Sequence, residues 1–222
     1  MEKLLVINAH PKVEDDSSVS LTVLRHFIET YRSLNPEGPI EQIDLYSEYV
    51  PCLDRIFFSA QEKMQRNERL TEEEQRLTSR MSDILRQFKS AKRYVIAMPL
   101  HNFNIPSKLK DYMDNILIAK ETFAYTNTGS VGLLKDGRNV LVIQASDAIY
   151  TNQDWYTEVE FSHRYLKAMF NFMGVDYQII RAQGNHALKR DEVLAKAFQE
   201  AESAAASLGQ LGMQVSNQAG SK

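Results

Sequence analysis

The 222 residues carry 43% hydrophobic content, enough apolar surface for one good core, and no composition shift or Gly/Ser-rich linker marks a second. A formal charge of −3 supplies no basic footprint for nucleic acid or anionic lipid, so neither nucleic acid nor membrane is an expected partner and small molecules are. The single cysteine, Cys52, excludes an internal disulfide framework and a thiolate metal site, and is expected as a small packing residue.

The chain opens on Met1-Glu-Lys-Leu-Leu-Val-Ile-Asn8, apolar for about five residues before a turn and far short of the ~20 of a membrane span. It predicts a strand over Leu4 to Ile7 rather than a signal, and with no longer apolar run elsewhere a cytoplasmic protein is expected. Val19 to Leu34 places Val19, Val23, Phe27 and Tyr31 on one helical face, with Leu24 and Ile28 beside them. A weaker strand follows at Ile40 to Leu45. From Gln61 to Lys89 the chain is strongly charged with helical apolar spacing, and Thr71 to Glu74 reads as a capping box. Tyr94 to Met98 is apolar enough for a strand buried on both faces. Pro106 to Lys120 predicts a helix with Pro106 at its first position, and Val140 to Ile143 a further strand. Asp154 to Met173 predicts one helix whose stripe, Trp155 included, faces the core or a subunit interface. Tyr177 to Ile180 is the fifth strand, and Asp191 to Leu211 an alanine-rich last helix.

Strands alternating with helices make βαβ units, and five of them most simply form an α/β fold: a flavodoxin-like, doubly wound, five-stranded parallel sheet of order 2-1-3-4-5. One domain is expected over residues 1–212, with a flexible tail at 213–222. The switch point of that order lies between the first and third strands, where open α/β sheets bind ligands. The loops Ala9 to Ser20 and Pro99 to Ile105 should therefore face each other.

The first loop ends in hydroxyl side chains as a helix begins, where unpaired N–H groups and the helix dipole favour an anion. The second offers an amide, Asn102, and an aromatic, Phe103, suited to the edge and face of a heterocycle. Neither GxxxxGK[ST] nor a GxGxxG after the first strand occurs, so a monophosphate fits better than a nucleoside triphosphate or a dinucleotide. Five scattered histidines show no metal-ligand spacing, and no metal is expected. His163 reads as an interface or core residue and His186 as a surface-loop residue.

These pieces resemble the FMN-dependent NADH azoreductases, flavodoxin-like quinone oxidoreductases of bacteria. The resemblance covers nearly the whole chain and is carried by Ala9-His-Pro11, Ser18-Val-Ser20, Pro99-Leu-His-Asn-Phe-Asn-Ile-Pro106 with Leu109-Lys110, Thr122-Phe-Ala-Tyr-Thr126 with Gly132-Leu133, and His163-Arg-Tyr-Leu166 with Phe172 and Gly174. It implies that His10, Ser18, Val19 and Ser20 bind the ribityl phosphate, and that Leu100, His101, Asn102 and Phe103 contact the isoalloxazine. It implies as well that the loop after the fourth strand, Ala145, Ser146, Asp147 and Ala148, approaches the same ring. It further implies a homodimer with FMN at the subunit boundary, NADH as co-substrate, and ping-pong reduction of quinones or azo compounds. Phe123 and Tyr125 read either as an aromatic wall for substrate or as ordinary core, and His10 as a phosphate donor or a turn histidine satisfied by backbone.

Two positions depart from the family pattern. Asp147 and Ala148 stand where relatives usually carry a Gly-Gly pair, so side chains replace positions free to adopt positive φ. A carboxylate there disfavours added negative charge on a flavin and lowers its reduction potential. Lys120 stands where glycine is common, and reads as a helix C-terminal cation or as a partner for Asp147. The alternative function these departures leave open is a flavodoxin-fold binding or redox-sensor protein with weakened FMN binding or no turnover.

Overall fold

In the computed structural model, residues 2–13, 15–185 and 188–219 are described, with side chains through Leu208. The expectation for His186 lies outside them, as do residues 220–222 of the expected tail. The strands are β1 (Leu4–Asn8), β2 (Ile40–Asp44), β3 (Arg93–Pro99), β6 (Asn139–Ser146) and β7 (Asp176–Gln183), all parallel in the order β2-β1-β3-β6-β7. That is the anticipated doubly wound order, and it brings the carboxyl ends of β1, β3 and β6 side by side.

Successive residues of a strand point to opposite faces, and the central strands fill two cores. Leu5, Ile7, Tyr94 and Ile96 pack under α3 (Glu72–Ser90), α4 (Ser107–Ile116) and α6 (Phe161–Met173). Leu4, Val6, Val95 and Leu141 pack under α1 (Val19–Leu34) and α7 (Arg190–Ala219). The stripe Val19, Val23, Phe27, Tyr31 of α1 is buried as its spacing requires. Ala197, Ala201, Ala204 and Ala205 of α7 are buried against this layer, and small side chains let the two helices approach, with His26 stacked on Phe198 at 4.2 Å. Each fully buried Leu, Ile or Phe here contributes roughly 1.5–3 kcal/mol.

The charged stretch is two helices, α2 (Arg55–Gln65) and α3, separated where Asn67 adopts φ +54°. The capping box is present: the Glu74 amide donates to Thr71 Oγ1 at 3.2 Å and the Thr71 amide to Glu74 Oε2 at 2.7 Å. Lys63 and Ser59 of α2 also donate to Glu74, at 2.8 and 2.7 Å, and these bonds hold its carboxyl at about 2.

Several local expectations are corrected. Pro106 is the N-cap of α4, one position before the helix, because its extended ψ of 144° suits a cap. Helix α4 ends at Ile116, so Lys120 is no helix residue: it sits in the following turn at φ +71°, its amide donating to the Phe123 carbonyl at 2.7 Å. Glycine adopts that backbone conformation without the strain a side chain brings. No ion pair joins Lys120 to Asp147 among the described residues. Cys52 is exposed rather than packed. The helix expected from Asp154 to Met173 is broken into α5 (Trp155–Glu158) and α6, because Glu160 leaves the helix to cap α6, accepting from the His163 amide at 2.8 Å. Trp155 is 56% exposed in this chain, outside the core. A two-stranded hairpin, β4 (Phe123–Thr126) with β5 (Gly129–Gly132), was not anticipated, its strands being too short for a periodic signal.

Candidate functional site

Four parallel strands, β1, β3, β6 and β7, deliver the segments after them to one cleft of 290 Å³, lined by His10, Ser17 to Ser20, Pro99, Leu100, Ala145, Ser146, Asp147, Asn185 and Arg190. At its β1 end, buried Asn8 ties the sheet to the loop: its side chain donates to Asp44 of β2 at 2.9 Å and accepts from the His10 amide at 3.0 Å. His10 is a turn histidine, its Nδ1 lying 2.8 Å from the Lys12 carbonyl, which leaves Nε2 for another partner. Ser18 caps α1, accepting from the Leu21 amide at 3.3 Å. The first-turn amides of Val19 and Ser20 have no intrahelical acceptor, as in any helix, and with the dipole they make a seat for an anion.

The opposite wall is the β3 loop. The Leu100 amide donates to the Ala145 carbonyl at 2.8 Å, locking this loop to β6. His101 and Asn104 then exchange backbone bonds at 2.9 and 2.8 Å, closing a tight turn whose tip residues, Asn102 and Phe103, have φ of +47° and +65°. A left-handed phenylalanine costs about 1–3 kcal/mol and persists only where neighbours hold it. The Phe161 amide, at the first position of α6, does so by donating to the Phe103 carbonyl at 2.9 Å. Burial, and secondarily the nearby His10, push the His101 imidazole below its ordinary value.

Asp147 and Ala148 do not adopt positive φ, so the side chains at these two positions are carried without backbone strain. Ser146 Oγ folds back on the Ala148 carbonyl at 2.9 Å and shapes the turn. The structure thus brings His10, Ser18, Val19, Ser20, Leu100, Ala145, Ser146 and Asp147 together. His101, Asn102, Phe103 and Ala148 do not line this cleft; they follow its lining residues Leu100 and Asp147 in the chain. Phe123 and Tyr125 do not line this cleft; they lie on the hairpin, where Phe123 packs on Phe172 at 4.9 Å and Tyr125 is 77% exposed.

Sequence reasoning missed Asn185 and Arg190. The turn after β7 reaches the cleft because the Gly184 amide donates to the Ser146 carbonyl at 3.0 Å. Arg190 Nη1 donates to the Ser17 carbonyl at 2.7 Å, placing a cation beside the start of α1. Asn185 Oδ1 is buried and without a partner among the described residues, an acceptor left for a donor in the cleft. The usable signal was positional: these residues follow the carboxyl end of the strand beside β6.

A five-stranded order of this kind, with an anion seat after β1 and an aromatic-bearing turn after β3, defines a flavodoxin-like protein. The model of the Flavodoxin_2 family, described as a flavodoxin-like fold, matches residues 2–205. Within that class the chain belongs to the bacterial FMN-dependent NADH azoreductase and quinone oxidoreductase family. It is 64% identical over 210 residues to FMN-dependent NADH:quinone oxidoreductase 1 of Bacillus cereus, spanning 94% of this chain and 99% of the relative. A crystal structure of an FMN-dependent NADH-azoreductase from Bacillus anthracis in complex with FMN matches with a TM-score of 0.92 at 64% identity, covering 94% of this chain and all of that one (100%). An azoreductase from the same species matches at 28% identity with a TM-score of 0.84, covering 92% of this chain and 99% of that one.

Proposed function

We infer that this chain is an FMN-dependent NADH oxidoreductase that reduces quinones and azo compounds. The observation that carries the reading is one cleft joining the anion seat at Ser18 to Ser20 with Leu100 and the Ala145 to Asp147 loop. The residues present fit the cofactor. First-turn amides and Arg190 suit the phosphate, the unpartnered Asn185 Oδ1 suits a ribityl hydroxyl, and Leu100 to Phe103 offer a backbone edge and an aromatic face to the ring. FMN when bound supplies the two-electron chemistry, NADH, a proton and a quinone giving NAD⁺ and hydroquinone in two half-reactions, the donor leaving before the acceptor enters. The protein binds and orients; His101 and the Phe103 turn shape the ring side of the cleft. The reading includes a homodimer, in which exposed Tyr125 on the hairpin reaches a second subunit's site, and a cytoplasmic location with access to NADH.

The visible spectrum of the purified protein with added FMN, followed by anaerobic NADH, tests it. Bound flavin that bleaches is the expected result; bound flavin that NADH leaves oxidised favours a sensor, and no binding overturns both.

Two site predictions follow from particular contacts. Asp147 lines the cleft and is exposed, so its charge acts through partly screened solvent at about 1 kcal/mol, or ~20 mV for a two-electron couple. Asp147→Gly is expected to raise the potential of bound FMN by that order in a dye-equilibration titration, and an unchanged value rejects the electrostatic role. Phe161→Pro tests the turn clamp. Proline is tolerated at a first helical position, but it removes the amide that holds Phe103. FMN affinity should fall about fivefold, the worth of one hydrogen bond of ~1 kcal/mol, while Phe161→Ala, which keeps the amide, stays near native. Equal losses in both variants would mean that the ring, and not the amide, matters.

A further inference from the structure

Trp155 is the chain's single tryptophan, and it is half exposed at the rim of the Phe103 turn. Its ring stands edge-on to Phe103, centroids 5.4 Å apart at 82°. It is held there by structure rather than left loose. Gln153 turns the chain at φ +58°, and Asp154 caps the four-residue α5, accepting from the Tyr156 and Thr157 amides at 3.0 and 3.3 Å. Tyr156 packs on Trp155 at 5.3 Å and on Tyr150 at 5.6 Å, and Tyr150 is buried, its amide donating to Gln183 Oε1 at 3.0 Å. Two aromatic rings, Phe103 and Tyr156, therefore buttress Trp155, with Tyr150 behind Tyr156, and Trp155 keeps an exposed side next to the turn that the proposed function assigns to the flavin ring.

We propose that Trp155 is a specificity-determining residue: it forms the stacking wall for the electron acceptor and selects planar, multi-ring aromatics over single-ring ones. This rests on the oxidoreductase reading. The physical basis is area and quadrupole. An indole face gains from each additional fused ring laid against it, and aromatic pairs are worth more than their buried area alone, so a two-ring quinone benefits more than a one-ring quinone. Among the described residues Trp155 is the ring that stands against Phe103; Tyr156 and Phe161 are part-exposed beside it, and Phe123 and Tyr125 of the same subunit lie on the hairpin.

The test uses FMN-loaded protein and two probes, 1,4-naphthoquinone and 1,4-benzoquinone. Flavin absorbance and its bleaching by NADH are recorded first for native protein, Trp155→Ala and Trp155→Phe. Native protein that fails to bind FMN or to bleach defeats the oxidoreductase reading and this proposal with it. With bleaching intact, the naphthoquinone-to-benzoquinone ratio of kcat/KM should fall at least fivefold in Trp155→Ala, with the loss in KM, and Trp155→Phe should recover most of it. An unchanged ratio overturns the proposal alone. Indole emission of the oxidised native holoenzyme gives a readout independent of any variant's folding. Naphthoquinone should quench it saturably, at concentrations near its KM. Linear, unsaturating quenching, or a blue-shifted emission shielded from acrylamide as a second subunit would impose, overturns it.

Discussion

Ser18→Asp is expected to preserve the fold and abolish tight FMN binding. Ser18 is the N-cap of α1, and aspartate caps as well as serine while placing a favourable charge at the positive end of the helix dipole, so thermal stability should hold or rise. The same carboxylate would occupy the seat in which the proposed function places a phosphate. Two like charges ~4 Å apart at an effective dielectric of ~20 repel by about 4 kcal/mol, and a phosphate carries more than one charge. Half of that, about 2 kcal/mol, is already about 30-fold at 1.4 kcal/mol per decade of affinity, so a loss of at least about 30-fold is expected in a flavin-fluorescence titration. Ser18→Asn, a neutral cap of similar shape, should stay within a few-fold of native. An aspartate variant that binds FMN as native does would place the phosphate elsewhere.

The second large effect is structural. Gly132→Ala should lower the thermal midpoint by about 5–10 °C, because β5 runs directly over the end of α6. A Cβ at Gly132 would lie 2.4 Å from the Met173 carbonyl carbon, 2.5 Å from the Phe172 oxygen and 2.6 Å from the Met173 oxygen, all backbone atoms that cannot rotate aside. The chain is tied down directly after this point, the Leu133 amide donating to the Thr122 carbonyl at 3.0 Å and the Leu134 amide to the Met173 carbonyl at 2.9 Å. Overpacking of this kind costs roughly 1–3 kcal/mol, and lifting the hairpin also moves Tyr125 and separates Phe123 from Phe172. Calorimetry of the flavin-free protein is the direct measurement. A midpoint within ~2 °C of native would show that the hairpin moves without cost and plays no part in holding the fold.

These two positions differ in how visible they are from the chain alone. Ser18 announces itself: hydroxyls at the start of an amphipathic helix that follows a buried strand are a local pattern, and the resemblance motif Ser18-Val-Ser20 overlaps it. Gly132 does not, because its requirement comes from α6, whose closing residues lie some forty positions later. The hairpin that carries it has strands of four residues each, too short for alternation to register against the surrounding loop. The break between α5 and α6 was hidden likewise: apolar spacing runs through Val159 and Glu160 unbroken, while the burial of Glu160, bonded to Ser162, the His163 amide and Arg181, is what ends one helix and starts the next.

What the amino-acid order determined by itself is whatever depends on neighbours in the chain. The five strands, the α1 stripe, the capping box at Thr71 and the sheet order follow from hydrophobic period and from the right-handed winding of βαβ units. What only the tertiary structure decided is whatever depends on register between strands. Parallel pairing of β6 with β7 sets Ser146 opposite Gln183, carrying Asn185 and Arg190 to the cleft. Packing of α6 against the β3 loop holds Asn102 and Phe103 in left-handed conformations that their own propensities disfavour. Local free energies of a fraction of a kcal/mol per residue choose the elements; the larger energies of burial and of satisfying buried polar groups choose where their ends meet, and a binding site is made of ends.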